Sequence, residues 1–345
     1  MSRTYYRPLG LCHGSDAERL IASHRAGRLG GSGAIGFTLI EVIRRNGNSI
    51  DRDIIAYSHA LQAIEAPRGS FAGLAMDRLR VMGIVNVTPD SFSDGGQHST
   101  SEAGASHGLA LAAEGADILD VGGESTRPGS EAVSVDEELS RVIPVVKRLS
   151  DAGHVVSIDT RKPAVMREAV KAGAAIINDV SALQHDPDSL RTIAELKVPV
   201  VLMHAQGDPR TMQLNPHYDD VALDVYDQLE QRVLACVEAG IPRSHIAIDP
   251  GIGFGKTFRH NLELLNQLTL FHGLGVAVLV GLSRKGFVGA LTGEKNAANR
   301  VHGSVGGAVQ AALNGVHILR VHDVKATVEA LAVAGAAMDP RSTEF

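Results

Sequence analysis

Polar side chains stand where several apolar runs of this sequence end. Asp159 follows SI in the run SIDT, Asn178 follows II in IIND, and Asp249 follows AI in AIDPG. Carboxylate and amide groups of this kind can accept and donate hydrogen bonds to a bound polar ligand. A single aspartate at such a position often only caps the next helix, and this simpler interpretation stays open for Asp179 and Asp323. Three polar run ends in one chain are harder to explain as caps.

Basic side chains follow the last two apolar runs. Arg284 and Lys285 come directly after VGLS, and Arg320 and His322 belong to RVHD. Together with Arg127 they predict a cationic group that binds an anionic ligand, most simply a phosphate-bearing one. The glycine-rich GIGFGK (251–256) does not fit the nucleotide-binding P-loop, because Pro250 occupies the position of the first required glycine.

The sequence offers no clustered metal ligands of the common types. It contains no HExxH and no CxxC motif, and its 15 histidines are scattered. A hard cation that is held mainly by substrate phosphates needs only one or two oxygen ligands from the protein. Any metal in this chain is therefore expected to be Mg²⁺ bound together with the substrate.

Eight apolar runs, each followed by a helical pattern, are expected to position these residues. Continuous Val, Ile and Leu without alternation indicates strands that are buried on both faces. Eight strand–helix units over about 250 residues predict an α/β fold, a (β/α)₈ TIM barrel, with a doubly wound open sheet as the alternative. In a barrel, the residues that follow each strand share one face, and function is expected there. The runs are VMGIVNV (81–87), DILDVGG (117–123), HVVSIDT (154–160), AIINDV (175–180), VPVVLMH (198–204), HIAIDPG (245–251), VAVLVG (276–281) and HILRVHD (317–323).

The first two runs lead into long segments that we predict to be lids over a substrate. NVTPDSFSDGG (86–96) and VGGESTRPGS (121–130) combine Pro, Gly and small hydroxyl residues. Two solvated loops are the alternative interpretation. Phe92 and Arg127 are unusual in plain loops, which favours two adjacent lids that close over bound substrate.

Residues 1–80 differ in character from the rest and are predicted to be an N-terminal extension or small appended domain of unknown role, with the barrel in 81–345. Gly31, Gly33 and Gly36 form a GxGxxG pattern, but no buried strand is predicted before it, so we expect a flexible loop rather than a dinucleotide site. A short helix is expected around 54–66.

Composition excludes several classes of protein. Of 345 residues, 44% are hydrophobic, which excludes a wholly disordered chain. The net charge of −6 argues against a nucleic-acid-binding protein. Only two cysteines, Cys12 and Cys236, are present and lie far apart, which fits a reducing compartment. The sequence has no signal-like or membrane-crossing apolar stretch, so we expect a cytoplasmic protein that does not bind membranes.

Eight motifs, in this order, closely resemble the dihydropteroate synthase family: MGIVNVTPDSFSDGG, DVGGESTRPGS, SIDT, IINDV, LMHAQGDPRTMQ, DPGIGFGK, LVGLSRK and RVHDV. The resemblance extends from residue 81 to about residue 338. It implies a pterin-binding barrel, usually a homodimer, that joins 6-hydroxymethyl-7,8-dihydropterin diphosphate to 4-aminobenzoate and releases pyrophosphate and 7,8-dihydropteroate, a step of folate biosynthesis.

The resemblance also implies a role for each matching residue. Asn86 would help to hold Mg²⁺ on the diphosphate, and Arg320 and His322 would bind the diphosphate itself. Asp159, Lys285 and Arg127 are the candidates for catalysis, and Met203 would pack on the pterin ring. Pterin contacts are implied for Asp159, Asn178, Asp249 and Lys285; lid positions for Thr126 and Arg127; and aminobenzoate contacts for Phe92, Pro128 and Phe254.

One residue departs from the family pattern. The family commonly has Ser after the SRK triplet, where this chain has Gly286. We predict weaker contact with 4-aminobenzoate or sulfonamides there, without loss of activity, because backbone N–H groups at a helix start could still bind a carboxylate.

Two other functions would share part of this pattern. A methyltetrahydrofolate–corrinoid methyltransferase would share the pterin-binding Asp and Asn but does not require the STRP lid or the SRK and RVH cations. A non-catalytic pterin-binding protein would be expected to lack some of Asn86, Arg127, Asp159 and Lys285, all of which are present.

Overall fold

The computed structural model describes residues 2–88, 97–125, 133–207 and 211–340, with the side chains of 97–100 left out. Eight parallel strands form a closed barrel, so the (β/α)₈ fold is confirmed and the open sheet is wrong. The barrel closes where its last strand pairs with its first, with Arg320 opposite Met82. The strands are β5 (Arg80–Asn86), β6 (Ile118–Gly122), β7 (Val156–Asp159), β8 (Ile176–Asp179), β9 (Val200–Met203), β10 (Ile246–Asp249), β11 (Ala277–Val280) and β12 (Ile318–Val321).

The inside of the barrel is filled by a layer of apolar side chains. Because side chains alternate along a strand, every second residue of each strand points inward. Ile118, Ile176, Ala247 and Ile318 lie in one buried cluster, which also includes Phe71. The inward position two residues further along each strand is therefore the next layer, at the C-terminal end of the barrel.

Helices surround the barrel and pack their apolar faces on the outside of the strands. In the helix Val135–Asp151, for example, Val142, Val145, Val146 and Leu149 recur at helical spacing and are fully buried. Ser134 caps this helix by accepting a hydrogen bond from the backbone N–H of Glu137. The helices are α3 (Gln97–Ala113), α4 (Val135–Asp151), α5 (Pro163–Lys171), α6 (Ser189–Leu196), α7 (Val221–Glu238), α8 (Phe258–Asn266), α9 (Gly286–Thr292), α10 (Val301–Leu313) and α11 (Val324–Met338).

The N-terminal extension folds into an antiparallel sheet. Its elements are β1 (Ser2–His13), α1 (Gly14–Ala22), β2 (Gly27–Arg28), β3 (Ile35–Asn46), β4 (Ser49–Ala56) and α2 (Gln62–Glu65). The helix predicted over 54–66 is wrong in its first part, because Ile54–Ala56 pair with β3 and only four residues are helical. The flexible loop predicted over the glycine pattern is also wrong at its end: Gly36 lies in β3 and pairs with Cys12.

The extension packs against the barrel rather than standing apart from it. Tyr5 and Ile43 belong to the same buried cluster as the barrel strands and their surrounding helices. The Tyr5 ring meets Tyr226 of α7 edge to face, with centroids 5.5 Å apart. The division of the chain at residue 80 stays a prediction, although the first barrel strand does begin at Arg80. Among the described residues, no helix combines the length and apolar character needed to cross a membrane.

Candidate active site

The inward layer at the C-terminal end of the barrel is polar. Two residues beyond the apolar layer, the strands place Asp120, Asn178, Met203, Asp249 and Arg320, from β6, β8, β9, β10 and β12. Four of these five were predicted from the sequence, and the structure brings them together in one pit. The pit has acidic and amide groups on several sides and a guanidinium among them.

Arg320 ties two carboxylates of this layer together. Its Nε donates to Oδ2 of Asp120 at 2.6 Å, and its terminal nitrogen donates to Oδ2 of Asp159 at 2.9 Å. Burial raises the pKa of Asp159 and the nearby Asp120 adds to this effect, while Arg320 opposes it. The guanidinium is therefore engaged at the floor of the pit. The predicted diphosphate contact of Arg320 stays a prediction.

Asp120 is the site residue that sequence reasoning missed. It is fully buried, and its Oδ2 also accepts a hydrogen bond of 3.0 Å from the amide of Asn178. Its Oδ1 has no partner among the described residues. A buried acceptor without a partner is costly unless a ligand supplies a donor. The signal was present in the sequence as a charged residue inside the apolar run DILDVGG.

Asp249 and Lys285 lie on the opposite side of the pit. Oδ1 of Asp249 accepts from the backbone N–H of Gly251 at 2.7 Å, which orients the carboxylate, and burial raises its pKa. Lys285 donates to the carbonyl of Ile252, and its ammonium lies 4.7 Å from the centroid of the Phe254 ring. Desolvation lowers the pKa of Lys285 to about 8, although Asp249 favours the charged form.

The segment Gly251–Lys256, hereafter the glycine loop, carries these contacts. Gly251 has φ +69°, and a Cβ on it would lie 1.8 Å from the carbonyl oxygen of His204. Only glycine permits both this backbone conformation and this approach. Lys256 anchors the loop from inside: it is 1% exposed, its Nζ lies 2.9 Å from Nδ1 of His204, and burial lowers its pKa.

The remaining predicted cations have different surroundings. Nδ1 of His322 lies 3.0 Å from Oγ of Ser283, at the C-terminal end of β12. Arg284 does not belong to a free cationic group, because its guanidinium forms a two-point ion pair with Asp323. The carboxylate of Asp323 is engaged in this pair and does not cap α11 with its side chain, so the cap interpretation is wrong for Asp323. Asp179 accepts from the backbone N–H groups of Ser181 and Leu183 and so holds a local turn. It does not cap the next helix, α6, which begins after Asp188, so the cap interpretation is wrong for Asp179.

Both predicted lid segments fall partly outside the described residues. Phe92, Thr126, Arg127 and Pro128 lie outside the described residues, and so their predicted roles stay predictions. The described base of the second segment is firmly held. Glu124 accepts from Arg161 and from Lys162, both at 2.9 Å, and although burial acts in the other direction these cations lower the pKa of Glu124.

The donor chemistry at the end of β5 suits a hard cation. Asn86 is half-buried at the C-terminal end of that strand and pairs in register with Gly122. Its amide oxygen is a ligand type that Mg²⁺ accepts. The described residues contain no group of three or more His, Cys, Asp or Glu side chains placed to hold a metal ion. A cation here would depend on oxygen ligands from the substrate.

Comparison with known proteins identifies the family. The profile of the family described as "Pterin binding enzyme" matches residues 82–322. Dihydropteroate synthase of Escherichia coli strain K12 is 47% identical over 272 residues, which cover 79% of this chain and 96% of that protein. This chain belongs to the dihydropteroate synthase family. The family match begins within β5, after the N-terminal sheet, and extends through the other seven barrel strands.

Solved structures of family members support the same assignment. The Xanthomonas albilineans enzyme with 4-aminobenzoic acid has a TM-score of 0.74 and 55% identity, covering 79% of this chain and 98% of that one. The same enzyme in complex with 7,8-dihydropteroate has a TM-score of 0.71 and 52% identity over the same shares. About a fifth of this chain has no counterpart in these structures.

Proposed function

We propose that this chain is a dihydropteroate synthase, which joins 6-hydroxymethyl-7,8-dihydropterin diphosphate to 4-aminobenzoate in folate biosynthesis. The observation that carries the proposal is the pit itself. Asp120, Asn178, Asp249, Lys285 and Arg320 come from five parts of the chain and meet at the C-terminal end of one barrel. The family membership supplies the substrates, one of which is a pterin with adjacent amino and ring N–H groups.

The pit can bind a pterin through paired hydrogen bonds. The orphaned Oδ1 of Asp120 and the carboxylate of Asp249 are acceptors for ring N–H and amino groups. Asn178 can donate and accept, Lys285 can donate to a ring oxygen or nitrogen, and Met203 offers a soft apolar contact with the ring face. A ring with a different pattern of donors would leave buried groups unpaired, so we expect the pit to bind a pterin much more tightly than such a ring.

The reaction separates charge in two directions. The amine nitrogen of 4-aminobenzoate forms a bond to the methylene carbon, the carbon–oxygen bond breaks, and the electron pair leaves with pyrophosphate. Positive charge at the methylene carbon is delocalised into the pterin, and Asp159 is the carboxylate proposed to stabilise it. The amine is a neutral nucleophile that loses its proton to solvent after attack, so no strong general base is needed. The predicted lids, with Phe92, Thr126, Arg127 and Pro128, would exclude water and help to hold 4-aminobenzoate.

The leaving pyrophosphate needs cationic groups. We propose that His322 and Arg127 contact the pyrophosphate. Arg320 would also contact it once its hydrogen bonds to Asp120 and Asp159 rearrange. Mg²⁺ would be held by Asn86 and the substrate oxygens and would neutralise charge on the diphosphate when bound. A homodimer in the cytoplasm is proposed from the family resemblance alone.

The function is tested by following 7,8-dihydropteroate by mass spectrometry after purified protein is mixed with both substrates and Mg²⁺. Product that forms only when both substrates are present supports the proposal, and chelation of Mg²⁺ with EDTA is expected to stop it reversibly. Methyl transfer from methyltetrahydrofolate to a corrinoid, with no dihydropteroate formed, would establish the rival function instead.

A further inference from the structure

An acidic face of α7 lies against a basic face of the N-terminal sheet. Along α7 the carboxylates recur at helical spacing, which places them on one side of the helix. Arginines of β1, β3 and β4 meet them, and these strands belong to the part of the chain that precedes the family match. The facing residues are Asp220, Asp224, Asp227 and Glu230 on the helix side, and Arg3, Arg45 and Arg52 on the sheet side.

Two of these arginines hold the beginning of α7. Arg45 lies 2.5 Å from Oδ1 of Asp224 and 3.5 Å from Asp219, and Arg52 lies 2.6 Å from Oδ2 of Asp220. The side chains of Arg45, Asp220 and Asp224 are less than a fifth exposed. Ion pairs of this kind are less screened by solvent than pairs on an open surface.

The other oxygen of each of these two carboxylates, Asp220 and Asp224, accepts hydrogen bonds from backbone N–H groups. Oδ2 of Asp224 accepts from the N–H of Asp219 at 2.9 Å, just before the helix begins. Oδ1 of Asp220 accepts from the N–H groups of Ala222 and Leu223, both at 3.1 Å. Each arginine is therefore linked through one carboxylate to the point where the loop after β9 becomes α7.

That loop contacts the glycine loop directly. Tyr218, next to Asp219, donates through its hydroxyl to the carbonyl of Gly255 at 2.8 Å. The amide of Gln213 donates to the carbonyl of Gly253 at 2.6 Å. The glycine loop in turn supplies the carbonyl of Ile252 and the ring of Phe254 that hold Lys285. A continuous series of contacts thus runs from the N-terminal sheet to the pit.

We propose that Arg45 and Arg52 are positioning residues, through which the N-terminal sheet holds the glycine loop where Lys285 and Asp249 can bind the pterin. The proposal rests on the proposed function for the identity of the ligand. It gives the extension a role in substrate affinity, since the sheet touches the loop after β9 and contributes no described side chain to the pit.

The test compares Arg45→Met/Arg52→Met with the control Arg44→Met. Methionine retains much of the apolar stem and removes the charge. Arg44 lies in the same strand, and among the described residues its ion pair is with Asp51, at 3.4 Å, with both side chains at least half exposed. The double variant is expected to fold, because carboxylates at the first turn of a helix still favour its macrodipole. Circular dichroism checks this directly.

The first readout is calorimetric binding of 6-hydroxymethyl-7,8-dihydropterin diphosphate without 4-aminobenzoate. We expect the dissociation constant of the double variant to rise about fivefold to thirtyfold, in the range of couplings between separate sites. In steady state the KM for this substrate should rise by a similar factor with kcat changed much less. Pterin affinity equal to that of the control would overturn the proposal.

The second readout separates positioning from general destabilisation. Tyr218→Phe removes the hydrogen bond to Gly255 and should weaken pterin binding by itself. If the arginines act through Tyr218, the triple variant should bind little worse than Arg45→Met/Arg52→Met, whereas additive losses would contradict the proposed route. If the unsubstituted protein binds the pterin but forms no dihydropteroate, the proposed function is refuted. The comparison of pterin binding among the variants still tests the role of Arg45 and Arg52.

Discussion

Arg320 and Asp120 are 200 positions apart in the chain, yet Nε of one lies 2.6 Å from Oδ2 of the other at the centre of the pit. The pair joins β12 to β6 across the point where the barrel closes through β5. Its carboxylate keeps one oxygen without a described partner, which leaves that oxygen for a ligand. Structure and binding therefore depend on the same side chain.

Asp120→Asn tests this dual role. The substitution keeps the size of the side chain but removes the charge that faces Arg320, and breaking a buried pair costs about 3 kcal/mol. We expect urea unfolding at a lower midpoint and pterin affinity reduced at least about tenfold. Asp151→Asn is the control, since Asp151 pairs with Lys147 on an exposed helix surface. Unchanged pterin affinity in Asp120→Asn would show that the carboxylate does not contact the ligand.

Lys285 predicts a specific pH dependence. Its pKa is lowered to about 8, so the ammonium is present below that pH and is lost as the pH rises through it. If the ammonium binds the pterin, kcat/KM should fall above about pH 8. Lys285→Arg keeps the charge at all these pH values, and the alkaline fall should disappear even if the overall rate is lower. An identical alkaline limb in both proteins would assign it to another group.

Gly251 is predicted to tolerate no side chain. Gly251→Ala would combine a left-handed backbone conformation with a Cβ 1.8 Å from the carbonyl oxygen of His204, so the glycine loop must move. Gly153→Ala is a matched control, with φ +87° and no atom of the described residues within 4 Å of the added Cβ. The control should lose about 1 kcal/mol of unfolding free energy, and Gly251→Ala clearly more. Equal losses in thermal unfolding would mean that the close approach is unimportant.

Gly286→Ser is expected to strengthen contact with 4-aminobenzoate. A Cβ at this position would lie 3.5 Å from the ring of Phe258, an ordinary contact, so serine fits without strain. The residue is exposed at the first position of α9, where a hydroxyl could donate to a carboxylate. We expect the KM for 4-aminobenzoate to fall about threefold to tenfold, the effect of one hydrogen bond to a charged group. The same KM in both proteins would refute the prediction.

The sequence predicted the barrel and most of the pit because both follow from short-range patterns. Apolar runs indicate buried strands, and the residue that ends each run must lie at the C-terminal face. This logic found Asn178 and Asp249. It missed Asp120 because that residue lies inside its run rather than at the end. The two-residue alternation along β6 places it in the same layer, but that alternation is visible only once the inward face is known.

Long-range pairing explains what the sequence could not predict. Arg284 had the same apparent exposure as Lys285, and only the fold shows that Asp323 engages it. The N-terminal sheet was not foreseen because Ile54–Ala56 acquires its strand conformation by pairing with β3. The ion pairs between this sheet and α7 join residues about 170 to 230 positions apart, a separation that periodicity in one segment does not report.

The most direct test of the whole account is the rate of pyrophosphate release from the pterin diphosphate in the presence and absence of 4-aminobenzoate. We predict release that requires both substrates, and losses of about a hundredfold or more in kcat/KM for Asp159→Ala and for Lys285→Ala. Release that is independent of 4-aminobenzoate, or near-full turnover by either variant, would contradict the account.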